Sequence, residues 1–93
     1  MAIVSFRSSW TAAVFDGRRA PPFQAFRSVL ERKLVILHAA TDLHDLRCPP
    51  SNHLEKLKRD RLGQHSIRVN DQFRLCFVWS KEGPSEVECV DYH

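Results

Sequence analysis

The sequence has 93 residues, 43% hydrophobic and 27% charged, with a net charge of +3 and a pI near 9.0. That length gives one small domain over residues 1–93 with a modest core, and no apolar run nears the roughly 20 residues that cross a bilayer. The opening MAIVSFRSSW has no basic stretch followed by a long apolar one, so no secretory leader is expected and the chain is assigned to the cytoplasm, with no membrane partner.

In chain order, Ala2 to Phe6 is β-branched and aromatic and predicts a first strand. The serines before Trp10 can cap a short helix over Trp10–Phe15 that Asp16-Gly17 ends, with Trp10 as a core or staple residue. Pro21-Pro22 marks a stop. From Phe23 to Ala40, Phe26, Leu30, Leu34 and Leu37 recur on one face of a longer helix, on which His38 reads as a partly buried, hydrogen-bonded histidine. Thr41 to Asn52, with its double proline, predicts an ordered linker. His44, Cys48 and His53 within and after it lack the spacing of zinc ligands, and no metal or cofactor is expected.

After a charged stretch around Leu54 and Leu57 and a turn at Gly63, the period changes to two. Ile67 and Val69 point one way, Ser66 and Arg68 the other, and Asn70-Asp71 predicts a tight turn. Phe73, Leu75, Phe77 and Trp79 then share a face that the long helix covers, while Arg74, Cys76 and Val78 share the opposite one. A hairpin loop centred on Glu82-Gly83 would place Cys89 across from Cys76 and Asp91 across from Arg74. The three cysteines, Cys48, Cys76 and Cys89, are odd in number and read as reduced, buried fillers.

Charge is concentrated in the middle of the chain. Between Arg47 and Arg74 stand seven basic residues against Glu55, Asp60 and Asp71, a local charge of +4, while the remainder sums to −1. Such a patch suits a polyanion. Cleaving RNA without a metal needs a base for the 2′-hydroxyl, cations for the charge building on phosphorus, and an acid for the leaving 5′-oxygen. Lys58, Arg61, Arg68, Arg74, Asp91, Tyr92 and His93 offer those groups, and His65, opening a strand in the basic region, reads as an exposed strand residue or an RNA contact. Residue types alone leave two readings open: an RNA-cleaving face, or an ordinary sheet with surface ion pairs and a frayed end.

The block LRCPPSNHLEKLKRDRLGQHSIRVND, followed by RLCF and a closing DYH, resembles the HigB-type toxins of the RelE/ParE superfamily of toxin–antitoxin modules. The resemblance spans nearly the whole chain. It implies an α+β fold, a small twisted antiparallel sheet packed on one face by two N-terminal helices. The implied activity is ribosome-dependent, metal-independent cleavage of messenger RNA in the decoding site. Neutralisation by a HigA-type helix-turn-helix antitoxin is implied too, with operator DNA reached only through that antitoxin. The family's catalytic positions fall on Lys58, Arg74, Asp91, Tyr92 and His93, and the adjoining Lys56, Arg59, Arg61 and Arg68 are expected to bind RNA and ribosome. Tyr92 and His93 share the proton transfers; the α-carboxylate on His93 favours imidazolium and tilts it to the acid role. An ordered strand end at the active face is therefore expected rather than a frayed tail.

Three departures stand out. Arg59 replaces the usual glycine, Phe73 replaces the usual tryptophan before the arginine of RLCF, and Glu55, given no catalytic role, replaces a histidine found in some members. Because the same fold also hosts non-enzymatic DNA gyrase inhibitors of the ParE type, that function is the alternative, with a weakly toxic corepressor as a third.

Overall fold

The computed structural model describes residues 2–92. The Ser8 hydroxyl accepts from the Thr11 backbone N–H at 3.3 Å and starts helix α1 (Ser9–Phe15). Gly17, at φ +77, ends it in a backbone conformation that side chains resist. The longer predicted helix divides in two. Pro21 and Pro22 open a 3-10 turn over Pro21–Phe26, and the α-helix proper, α2, spans Arg27–Ala39. Phe23 and Phe26 on the turn meet the Phe73 ring at 6.1 and 4.6 Å, so this segment is bent to fill the end of the core.

The linker is ordered as expected. At the start of a 3-10 turn at Leu43–Arg47 the Asp42 carboxylate accepts from the His44 N–H and the Asp45 carboxylate accepts from the Asp42 N–H, and a second turn follows at Pro50–Asn52 after a cis Cys48–Pro49 bond. Asn52 is fully buried. Its amide donates to the carbonyls of Leu46 (3.1 Å) and Cys48 (3.2 Å), and its oxygen accepts from Lys33 Nζ at 2.7 Å. The side chain thus ties the linker to α2, and removing it would strand buried carbonyls at about 1–3 kcal/mol each.

Four antiparallel strands follow in the order β1 (Glu55–Lys56), β2 (His65–Arg68), β3 (Phe73–Ser80) and β4 (Gly83–Asp91). Leu30, Leu34 and Leu37 of α2 are wholly buried in one cluster with Ile67, Leu75, Phe77 and Val87 of the sheet. Each such side chain contributes roughly 1.5–3 kcal/mol. The fold is the α+β arrangement expected.

Several local expectations need correction. Residues 2–6 form no regular strand; they run parallel to β4, with a bridge between Phe6 and Val87 and hydrogen bonds from Val4 to Pro84 and from Arg7 to Val87. Trp10 is 46% exposed, because the buried face of α1 is that of Thr11, Ala13 and Val14. Cys48 is exposed, whereas Cys76 and Cys89 are buried; all three are free. His38 is exposed, although its Nδ1 accepts from the Ile3 N–H at 3.2 Å.

The β3–β4 register differs from the expected one by a single residue. The turn is centred on Lys81-Glu82, and a bulge puts Glu86 (φ +54) and Val87 opposite Phe77 alone. Arg74 therefore pairs with Val90, Cys76 with Glu88, and Asp91 with Phe73. Because directly paired residues share a face, Asp91 lies on the Phe73 side and not across from Arg74. Cys76 and Cys89 likewise point to opposite faces.

Candidate functional site

Arg74 is the best-held side chain of the basic face. Its Nε donates to Ser66 Oγ at 2.7 Å, and its Nη2 donates to the carbonyls of Ser66 and His53. Ser66 is the residue before Arg68's neighbour Ile67 on β2, so the sheet itself orients the guanidinium. Among the described residues Nη1 makes no hydrogen bond. That planar edge faces a task that the protein leaves open, and a planar two-nitrogen donor suits a phosphate. Glu55 Oε1 lies 3.8 Å away, a loose counter-charge on a half-exposed side chain.

Arg68 pairs with Arg74 across the strands and is itself ion-paired with Asp71. His53, Glu55, Arg68 and Arg74 line a common cleft of about 360 Å³. Lys58 and Arg59 are exposed at the start of a 3-10 turn over Arg59–Arg61, and neither side chain has a hydrogen bond or ion pair among the described residues. Arg59 stands at φ +58.

Arg61 is committed differently. Its Nη1 donates to Glu88 Oε2 and Gln64 Oε1, both at 3.1 Å, and so clamps the turn across the sheet onto β4. Burial is the largest single influence and works against the guanidinium charge, but the hydrogen bond to Glu88 and the negative charge of Cys76, Glu88 and Asp60 together exceed it and raise the pKa. The clamp closes over Ser66 and Cys76, which are fully buried on this otherwise polar face. Lys56 is brought elsewhere: paired with His65, it lies on the other side of β1 from Glu55. There it borders a second cleft, of about 550 Å³.

At the chain's end, the Tyr92 N–H donates to the Gln72 carbonyl at 3.0 Å, continuing the pairing past β4. In the strand alternation Tyr92 follows Val90 onto the Arg74 side. The Asp91 carboxylate accepts from Gln72 Nε2 at 2.8 Å. His93 lies outside the described residues.

Burial pushes the His65 imidazole below its ordinary value, and Lys56 opposite adds to the effect. His65 is half-buried rather than an exposed strand residue. Lys33 is lowered by burial and by Arg32 and Arg68, while the Thr41 hydroxyl holds Asp45 below the usual carboxylate range. Among the described residues no three of His, Cys, Asp and Glu converge as metal ligands. No helix among them is long and apolar enough to cross a membrane.

Three positioning residues escaped the sequence reading: Ser66, Asn52 and Glu88. Ser66 carried a signal, since the alternation put it on the arginine face. Asn52 and Glu88 carried none, because their partners are 19 and 27 residues away.

Residues 5–93 match the family model HigB-like toxin, described as the RelE-like toxin of the type II toxin-antitoxin system HigB. The chain is 40% identical over 78 residues to Toxin HigB-1 of Vibrio cholerae, covering 82% of each. It is 49% identical over 51 residues to an uncharacterized protein of Haemophilus influenzae, covering 55% of this chain and 50% of the relative. Among solved structures, the fold resembles the YoeB-YefM complex from Staphylococcus aureus, with a TM-score of 0.57, 20% identity and 100% and 99% of the two chains covered. It also resembles the YoeB/ParE toxin from Agrobacterium tumefaciens, with a TM-score of 0.58, 23% identity and full coverage of both. The chain therefore belongs to the HigB-like, RelE-type toxins of type II toxin–antitoxin systems.

Proposed function

We propose that this toxin is a metal-independent endoribonuclease that cleaves messenger RNA in the decoding site of the ribosome. The observation that carries the reading is Arg74, fixed on three acceptors with one edge of its guanidinium uncommitted among the described residues. In the reaction, the 2′-oxygen attacks the adjacent phosphorus and the bond to the 5′-oxygen breaks. The products are a 2′,3′-cyclic phosphate and a 5′-hydroxyl. Arg74 and Lys58 hold the non-bridging oxygens as charge builds on them. Tyr92 and His93 move the two protons, one removed from the 2′-hydroxyl and one delivered to the 5′-oxygen.

Asp91, which accepts from Gln72 and lies on the opposite face from Arg74, acts by holding Tyr92 in place. Arg59 and Arg68 add positive charge toward RNA and ribosome, Lys56 serves from beyond β1, and Arg61 contributes mainly by holding the turn that carries Lys58. The partner that silences the toxin is a HigA-type helix-turn-helix antitoxin, through which alone it reaches operator DNA, and the site of action is the cytoplasm.

The test is induction in cells, with transcript ends mapped and plasmid supercoiling measured together. Cleaved messages with normal supercoiling are expected, and Arg74→Ala or His93→Gln should cut cleavage by roughly 100-fold while thermal unfolding stays cooperative. Intact messages with blocked supercoiling would replace this reading with gyrase inhibition.

A further inference from the structure

The second cleft, beside β1, brings in Leu43, His44, Arg47 and His65, to which the cleavage reading gives no task. It is about 550 Å³ in volume, inside the range of small-molecule sites. Arg47 from the linker and Lys56 from β1 stand on it, and neither side chain has a hydrogen bond or ion pair among the described residues. No carboxylate lines it. Two cations facing a common space without a counter-ion leave a positive potential that an anion would relieve.

Charge is only part of the lining. Leu43 and Leu54 give apolar walls, so a bare inorganic anion would leave apolar surface unfilled. His44, His53 and His65 add three imidazoles, flat rings that can stack on a base or donate to a phosphate oxygen. They do not form a metal site among the described residues. His65 Nδ1 is buried with no hydrogen-bond partner there, so this wall is incompletely satisfied by the protein itself. Finally, His53 and Leu54 line both this cleft and the Arg74 cleft, so the two adjoin.

We propose that this second cleft binds a nucleoside 5′-phosphate unit, with its phosphate on Arg47 and Lys56 and its base against Leu43, Leu54 and the imidazoles. The unit has two sources with the same chemistry: a nucleotide of an RNA strand that continues past Arg74, or a free nucleotide. The strand source rests on the RNA-cleavage reading. The free-nucleotide source does not.

The experiment is titration of 5′-AMP into the whole protein, followed by the histidine ring and arginine side-chain resonances. Saturable shifts at His44, His53 and Arg47 are expected, with a Kd in the millimolar range or below. Arg47→Glu, and separately Lys56→Glu, should weaken binding by roughly tenfold, whereas Arg32→Glu on α2 should leave it within about twofold. Arg47 is exposed and unpartnered among the described residues, so its reversal leaves the fold intact.

A short RNA oligonucleotide separates the sources. Binding about tenfold tighter than AMP, with shifts extending to Arg68, assigns the cleft to a strand; equal affinity assigns it to a free nucleotide. The absence of saturable AMP shifts, or AMP binding equally weakened by Arg32→Glu, overturns the proposal. Neither result depends on whether messages are cut, so the two readings fail separately.

Discussion

Arg59 occupies a backbone conformation, φ +58, in which a side chain crowds the following carbonyl at a cost of about 1–2 kcal/mol. HigB-type sequences usually carry glycine at this position, and the observed angle explains why. Arg59→Gly should relieve the crowding while adding about 0.4–1 kcal/mol of unfolded-chain entropy. The net is a stabilisation of roughly 0.5–1 kcal/mol, a rise of a few degrees in Tm. Thermal unfolding of the two proteins decides it, and a lower Tm for the glycine variant would mean that Arg59 makes a contact worth more than the strain. The sequence showed the departure; only the angle turned it into an energy.

At the scale of elements, the Arg61–Glu88 contact holds the turn that carries Lys58 and Arg59 over the sheet. Its side chains are 26% and 14% exposed, so water screens it less than an open surface pair. Glu88→Ala should cost about 1–3 kcal/mol in urea unfolding, and Glu88→Gln, which keeps an acceptor, clearly less. Equal losses for both would mean that packing, not the hydrogen bond, holds the turn.

The elements were legible where a period ran long enough. The α2 face of Leu30, Leu34 and Leu37 and the β3 alternation both emerged as expected. Boundaries set by single residues were not legible: a bulge at Glu86 has no periodic signature, and with the displaced turn it carries Asp91 to the face away from Arg74. The β1 strand is two residues long, too short to alternate.

Taken whole, the molecule keeps two of its three thiols out of reach. Burial pushes the Cys76 thiol up to about 11 and the Cys89 thiol up to about 12, while Cys48 stands exposed on the linker. At pH 8 one thiol per chain should react quickly with an alkylating reagent, and the other two only at the rate of unfolding. Labelling followed by mass spectrometry tests this; fast modification of Cys76 or Cys89 would place the sheet in an opening equilibrium. The raised values also carry a sign for stability. Both thiols stay protonated in the fold above their unfolded value near 9, so that contribution is complete below pH 9 and is lost as pH climbs toward 11 and 12. The fold class could be read from the sequence, because motif and alternation are local. The second cleft could not, since it is assembled from the linker, β1 and β2.

The segment lying alongside β4 has a further meaning. Val4, Ser5 and Arg7 use backbone groups that a nine-residue outer strand would otherwise offer to any extended chain, and the Thr11 hydroxyl takes the Cys89 N–H. The opposite margin of the sheet is only two residues long. Neither border is a template for strand-to-strand growth. The sheet is thereby kept from growing strand upon strand along its own borders, and the guard is a stretch of chain that belongs to no helix or strand.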